Sequence, residues 1–143
     1  MKYLLDTCVI SELANPTPNS QVVEWLSRQQ SSELYLSVLT IGEIKKGIAK
    51  RGDDVRAKRL ERWLEEIVRL FADRILYIDR EISLAWGRIC GEAERIGKKR
   101  PAIDSLIAAT AMVRDMTVVT RNVSDMAGMS VPIFNPFDEA SQS

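Results

Sequence analysis

Several acidic residues stand where the chain changes direction rather than where it builds a core. They are Asp6, Glu43, Asp104 and Asp125. Asp6 follows the apolar run Met1 to Leu5, and Asp104 comes just before the apolar segment 106–109. Carboxylates are poor core residues but good ligands for a hard divalent cation, which prefers oxygen. The pattern favours metal-dependent cleavage of a phosphodiester, a reaction that needs an activated water and neutralisation of phosphate charge.

The sequence contains no histidine. This excludes the usual general base, every His-containing triad and every His-containing zinc site. Catalysis must therefore use carboxylates, a metal, Lys, Tyr or a Ser, Thr or Cys nucleophile. Cys8 and Cys90 lack the spacing of a metal or redox pair. Cys8 lies near a predicted helix start, which can activate a thiol, but a small core thiol is the simpler interpretation.

Composition indicates one compact domain. The chain has 143 residues, of which 45% are hydrophobic and 28% charged, with a net charge of zero. This balance argues against a protein that coats nucleic acid, although local basic patches can still guide a substrate. The apolar runs are too short to cross a bilayer, and Asp6 interrupts any signal-peptide pattern. We expect a reduced, cytoplasmic setting without membrane contact.

Short apolar runs alternate with helical patterns along the chain. Strands are predicted over 2–5, 34–37, 75–78 and 117–120, with an edge strand at 132–134. Helices are predicted over 7–14, from a Ser20 cap onward, and over 38–50, 55–71, 80–96 and 104–114. The alternation indicates an α/β fold with a mostly parallel sheet covered on both faces. Sites in such sheets lie beyond the carboxyl ends of the strands, which places Asp6 and Asp125 at one edge.

Local signals give more detailed expectations. Thr7 is predicted to cap the first helix. In the second helix, Val22, Val23 and Leu26 are expected to form the buried stripe, with Trp25 beside it. For Asp104, capping of its helix is the alternative to a metal role, and the two roles are compatible.

Four segments carry a more specific pattern. They are Leu5-Asp6-Thr7 with Ser11-Glu12, residues 37–44 with Gly47, residues 101–111, and residues 118–125 followed by Asn135-Pro136. In this order and spacing they resemble the PIN-domain ribonucleases, and within them the toxins of the VapBC type, including the FitB-like branch. The resemblance runs from Met1 to about Phe137 and implies a three-layer α/β/α domain over 1–137 with a sheet of four to five strands. Residues 138–143 are then expected to be a flexible tail.

The resemblance also implies an activity and a site. It implies a Mg²⁺- or Mn²⁺-dependent endoribonuclease in which Asp6 and Asp104 are metal ligands and Glu43 completes the site. Many members carry an acid where this chain has Asn122, so Asp125 is expected to take that role. This departure leaves open whether Asn122 or Asp125 completes the site, and whether one or two ions bind.

Further residues are candidates for supporting roles. Thr7 and Thr120 are expected to orient carboxylates or a phosphate. Basic residues beside the acids are candidates for contacts with the RNA backbone, against the alternative of an ordinary mixed-charge surface. They are Lys45, Lys46, Lys98, Lys99 and Arg100.

The resemblance implies partners as well. It implies an RNA substrate such as a tRNA loop, an inhibitory VapB- or FitA-like antitoxin, a homodimer, and DNA contact only through the antitoxin. The competing hypothesis is a binding module that keeps the fold and acts in transcriptional regulation through a DNA-binding antitoxin. A dehalogenase-type phosphatase is disfavoured because Cys8 stands where its second acid belongs. A receiver domain is disfavoured because no lysine follows Thr120 in the late strand.

Overall fold

The computed structural model describes residues 1–138, which form a parallel sheet between two layers of helices. Within these residues the strands are β1 (Tyr3–Leu5), β2 (Leu34–Ser37), β3 (Ile75–Leu76), β4 (Thr117–Val119) and β5 (Ile133–Phe134). The helices are α1 (Thr7–Glu12), α2 (Ser20–Ser27), α3 (Val38–Arg51), α4 (Val55–Phe71), α5 (Arg80–Arg95), α6 (Ala102–Arg114) and α7 (Val123–Met126). No helix in this part of the chain has the length and apolar character that a bilayer-spanning segment requires. Apart from Asp138, the predicted tail lies outside the described residues.

The sheet has the strand order β3-β2-β1-β4-β5, and every pair is parallel. The chain adds strands on one side of β1 first and on the other side afterwards. This reversal makes the carboxyl ends of β1 and β4 the expected location of a site. The prediction of a mostly parallel sheet of four to five strands is confirmed.

Alternating residues of the strands bury two separate cores. Leu5 and Val119 face the layer built by α1 to α4. Leu4 and Val118 face α6 and α7, and α5 covers the outer side of α6. Helix α6 is central, since Ile107 and Ala108 on this helix are fully buried.

Helix α2 faces the sheet differently from the prediction. Trp25 is only 6% exposed, whereas Val23 is 39% exposed. The indole packs edge-on against the Tyr3 ring at a centroid distance of 5.0 Å, and lies 5.0 Å from the Phe134 ring. Two strand aromatics that are distant in sequence therefore fix which side of α2 is buried, and Trp25 belongs to the core rather than to its margin.

Two predicted caps are wrong by one residue. Asn19, not Ser20, caps α2, since its side chain accepts from the backbone N–H of Gln21 and Val22. Asp6, not Thr7, caps α1, because Asp6 keeps an extended backbone and its carboxylate accepts from Thr7 N–H. Asp79 caps α5, since its Oδ1 accepts a hydrogen bond from Ile82 N–H.

The third strand is shorter than predicted. Only Ile75 and Leu76 pair with β2, and Tyr77 is 72% exposed. This strand lies at the sheet edge, where pairing is available from one side only. The chain leaves the sheet at Tyr77 because it must reach Asp79, where α5 begins.

Candidate active site

Asp6 lies at the carboxyl end of β1 and is 4% exposed. Its Oδ1 accepts a hydrogen bond of 2.8 Å from Thr7 N–H at the start of α1. Its Oδ2 accepts one of 2.8 Å from the hydroxyl of Thr120, at the end of β4. A buried carboxylate needs such donors, because burial without them disfavours its charged form. Donors that follow β1 and β4 thus hold the Asp6 carboxylate in a fixed orientation.

Glu43 lies on α3, which begins at the carboxyl end of β2 with Ser37 as its cap. The Thr7 hydroxyl donates to Glu43 Oε1 at 2.5 Å. Thr7 therefore contacts two acids, Asp6 through its backbone and Glu43 through its side chain. This arrangement agrees with the expectation that Thr7 orients carboxylates.

Asp104 enters from the opposite layer. Helix α6 precedes β4 and runs antiparallel to it, so its first turn lies at the same sheet edge as Asp6. The N-cap residue of α6 is Pro101, which makes no side-chain cap bond, and Asp104 is in the first turn. The alternative that Asp104 caps the helix is therefore wrong, although an acid in this turn interacts favourably with the helix dipole.

The start of α6 is anchored to α5 by a buried hydrogen-bond chain. Trp86 Nε1 donates to the hydroxyl of Ser105 at 3.0 Å. That hydroxyl donates in turn to the carbonyl of Pro101 at 2.7 Å. Ser105 is fully buried beside Asp104, so this chain fixes the position from which Asp104 reaches the site. The sequence analysis missed both residues, because a contact between two helices leaves no local signal.

The pKa of Asp104 is raised by burial and by the charges of the other acids. Partial burial raises its pKa above the usual value, and the negative charges of Asp6, Asp125 and Glu43, in that order, raise it further. The structure therefore brings the predicted acids to one edge of the sheet, within electrostatic reach of Asp104.

Asp125 reaches this edge from α7, a single-turn helix that was predicted to be a loop. The side chain is exposed, as is that of Asn122. Asn122 contributes through its backbone, since its N–H donates to Thr120 Oγ1 at 3.0 Å. Of these two candidates, it is Asp125 whose charge acts on Asp104.

The acids are neighbours but are not gathered around one point. Within residues 1–138, no group of three or more Asp, Glu or Cys side chains is arranged to hold one metal ion. The donor set itself suits a hard cation: all four groups are carboxylates, Asp6 is held rigidly by two donors, and Asp125 is free to turn inward at the surface.

Cys8 is a further residue of the site that the sequence analysis assigned to the core. It is half-buried, and its Sγ lies 3.9 Å from Asp6 Oδ2 and 3.6 Å from Thr120 Oγ1. The backbone N–H of Arg121 donates to the sulfur at 3.4 Å. Burial is the main cause that raises the pKa of this thiol. The prediction of a small core thiol agrees with its packing against the core, and the thiol also has polar contacts beside Asp6.

The predicted basic residues fall into two groups. Lys45 pairs with Glu61 on α4 at 2.5 Å, and Lys46 is exposed on α3. Lys98 and Arg100 line a cleft of about 460 Å³ beside α5 and α6, and Lys99 is exposed next to them. The second group therefore lies on a concave surface, whereas Lys45 already has an acidic partner.

A second cavity extends from the acids. It has a volume of about 320 Å³ and lies between α1, α3 and α4. Thr7 and Glu43 form one end, and Leu60 and Trp63 of α4 form an apolar wall. We call it the α3–α4 groove. Its lining also includes Gly47, Arg51 and Arg56.

Comparison with known proteins gives concordant matches. The PIN domain family model matches residues 3–124. Toxin FitB of Neisseria gonorrhoeae is 38% identical over 137 residues, which cover 95% of this chain and 99% of FitB. VapC ribonuclease Y4jK of Sinorhizobium fredii is 33% identical, with 96% of this chain and 99% of Y4jK covered. In structure, the chain is similar to FitAB bound to an IR36 DNA fragment, with a TM-score of 0.88, 38% identity, and coverage of 95% and 96%.

Proposed function

Because this chain belongs to the PIN-domain family, we propose that it is a divalent-metal-dependent endoribonuclease, the toxin of a toxin–antitoxin pair. The observation that carries the proposal is that Thr7 bonds to both Asp6 and Glu43 at one sheet edge, while the charges of Asp6, Asp125 and Glu43 act on Asp104. An acidic edge of this kind fits a cation far better than it fits an anionic substrate alone.

In this proposal Asp6, Glu43, Asp104 and Asp125 hold Mg²⁺ or Mn²⁺. The cation supplies an activated water and neutralises charge on the phosphodiester. Thr7 and Thr120 keep Glu43 and Asp6 turned toward the site through the hydrogen bonds described above. A cation would favour the charged form of Asp104, whose pKa is raised by burial and by the neighbouring carboxylates.

The substrate we propose is single-stranded RNA, such as a tRNA loop, because unpaired RNA can enter a narrow site that a duplex cannot. Lys46, Lys98, Lys99 and Arg100 are exposed or half-buried, and we propose that they contact its backbone. Lys45 has the weaker claim, because it is paired with Glu61. The proposed setting is the cytoplasm, where such RNA is found.

The proposed inhibitor is an antitoxin segment bound in the α3–α4 groove. The groove has an apolar wall at Leu60 and Trp63 and ends at Glu43. An amphipathic segment would bury its apolar side there and place a basic side chain near the acids. The similar FitAB structure contains DNA, so we propose that this chain meets DNA only through its antitoxin.

A homodimer is part of the proposal. Leu70, Tyr77 and Leu84 are between 62% and 72% exposed in the single chain. Large apolar side chains at such exposure are typical of surfaces that associate. Light scattering on the purified protein measures the oligomeric state directly.

The test of the nuclease is a cleavage assay on total RNA with Mg²⁺, with Mn²⁺ and with a chelator, followed by mapping of the new ends. We expect metal-dependent cleavage by the native chain and none by Asp104→Asn. Thermal unfolding during Mn²⁺ titration separates a defective variant from an unfolded one, since a true site raises the midpoint by mass action. Metal binding without cleavage would favour the binding-module hypothesis instead.

A further inference from the structure

The cleft beside α5 and α6 carries cations that take no part in the proposed metal site, and two of them are among the proposed RNA-backbone contacts. Its basic side chains are Arg88 on α5 and Lys98 and Arg100 in the loop before α6, with Glu92 as the acid in the lining. We call it the α5–α6 cleft. It is larger than the α3–α4 groove, at about 460 Å³ against about 320 Å³.

These cations lack acidic partners. Within residues 1–138, none of Arg88, Lys98 and Arg100 forms an ion pair. Arg88 Nη2 has a weak contact of 3.6 Å with Met112 Sδ. Elsewhere on the surface, by contrast, Arg114 pairs with Asp79 and Arg69 with Glu66. Unpaired cations on a concave surface concentrate positive potential there.

The backbone makes room for one of these cations. Gly128 has a φ of 83°, in the left-handed region that favours glycine. A Cβ atom at this position would lie 2.8 Å from Nη2 of Arg100. The guanidinium of Arg100 therefore packs against bare backbone in the loop that follows α7, the helix that carries Asp125.

Two segments that line the cleft lie close in sequence to the acids, since Arg100 precedes Asp104 and Gly128 follows Asp125. Arg100 comes shortly before Asp104, at the start of α6, whereas Met112 near the other end of α6 also lines the cleft. At 1.5 Å per residue, this places the far end about 12 Å along the helix from Asp104.

From these observations we infer that the α5–α6 cleft binds backbone phosphates of the RNA beyond the bond that is cut. The inference rests on the proposed nuclease function and adds a length requirement to its substrate. No aromatic ring is among the cleft's lining residues within 1–138. Base stacking is the usual source of further contacts to single strands, so its absence here favours recognition of phosphates without sequence preference.

The test uses two charge-matched triple variants. Arg88→Gln, Lys98→Gln and Arg100→Gln remove the cleft's cations. Lys58→Gln, Arg59→Gln and Arg62→Gln remove one Lys and two Arg from exposed positions of α4, in the opposite helical layer. Fluorescence anisotropy in a chelator measures binding of a long labelled single-stranded RNA and of a trinucleotide over a range of salt concentrations.

We expect the cleft variant to bind the long RNA more weakly at low salt, with a salt slope smaller by about 0.7 for each phosphate that the cleft no longer neutralises. Trinucleotide binding and the control variant should match the native chain. Equal weakening in both variants would reduce the effect to net charge and overturn the inference, as would unchanged binding. Loss of antitoxin binding without loss of RNA binding would assign the cleft to a protein partner instead.

Cleavage with Mg²⁺ distinguishes failure of this inference from failure of the nuclease proposal. If the native chain cleaves RNA and the cleft variant binds and cleaves it equally well, the proposed role of the cleft is wrong and the nuclease proposal stands. If the cleft variant binds RNA more weakly but the native chain does not cleave it, the cleft binds RNA and the nuclease proposal is wrong. Arg100 is half-buried, and its substitution can prevent folding. In that case the double variant Arg88→Gln and Lys98→Gln, which changes only exposed side chains, is tested in the same assays.

Discussion

The hydroxyl of Thr120 donates a 2.8 Å hydrogen bond to Oδ2 of Asp6, and the two residues are 114 positions apart in the chain. Both are buried, and the bond joins the ends of the adjacent parallel strands β1 and β4. A contact between a hydroxyl and a carboxylate thus joins the carboxyl ends of β1 and β4, where the strand order reverses. The orientation of Asp6 consequently depends on β4 pairing correctly with β1.

The first prediction tests this bond with Thr120→Val, which keeps the side-chain shape and removes the donor. We expect the free energy of unfolding to fall by about 2 kcal/mol, because a buried charged acceptor loses a partner. The Mn²⁺ concentration for half-maximal stabilisation should rise, since Asp6 is no longer held. Thermal unfolding during metal titration measures both effects.

Thr110→Val is the matched control for this substitution. Thr110 is also fully buried, but its hydroxyl donates to the carbonyl of Leu106 within α6. We expect its metal titration to follow that of the native chain. An equal change in metal response for both variants would contradict a specific role for Thr120.

The second prediction concerns Asp104, whose pKa is raised in the fold from the ordinary value of 3.8. In the metal-free protein the folded state then binds the proton more tightly than the unfolded state does. The free energy of unfolding must therefore fall as the pH rises from the pKa of Asp104 in the unfolded state through its pKa in the folded state. Asp104→Asn lacks this charge, so we expect it to be more stable than the native chain at neutral pH without metal. The advantage should disappear below the ordinary pKa.

Saturating metal should reverse this order. At a concentration of 100 Kd, a bound ion stabilises the native chain by about 2.7 kcal/mol, and Asp104→Asn should lose most of that gain. Denaturant unfolding with and without Mg²⁺ at several pH values gives the complete comparison. A variant that is less stable than the native chain in the chelator would refute the like-charge account of Asp104.

A third prediction concerns the anchor of α6. Ser105→Ala removes the acceptor of Trp86 Nε1, and a buried unsatisfied donor costs about 1–3 kcal/mol. The start of α6 should loosen, so Asp104 should bind metal less tightly. In a double-mutant cycle with Trp86→Phe, the two stability losses should be less than additive, because each removes the same bond. Strict additivity would show that the contact contributes nothing.

Much of the fold follows from local signals. The bounds of β2 and α4 agree with the sequence prediction. For α4 the reason is a strong helical period that starts at the Asp54 cap, whose carboxylate accepts from Ala57 N–H. Family resemblance is confirmed by the match over residues 3–124, while the domain boundary at 137 stays a prediction.

The errors have two origins: contacts between distant parts of the chain, and an element too short to be predicted. The buried side of α2 is decided by Tyr3 and Phe134, neither of which is close to Trp25 in sequence. One turn of helix is too short for propensity to reveal, so α7 was missed. The acids are readable from their motifs, whereas the donor to Asp6 Oδ2 is a tertiary contact. Their catalytic roles stay predictions.

The last prediction tests the antitoxin groove through Gly47, which lines it within α3. A Cβ atom at Gly47 would meet nothing within 4 Å, and its φ is not in the left-handed region. Gly47→Gln should therefore stabilise the helix by roughly 0.5–1 kcal/mol while filling the groove. We expect RNA cleavage to persist and inhibition by the antitoxin to weaken.

Gly87→Gln on α5 is the control, since Gly87 has the same open surroundings in the other helical layer. Loss of inhibition in the control, or intact inhibition in Gly47→Gln, would place the antitoxin on another surface.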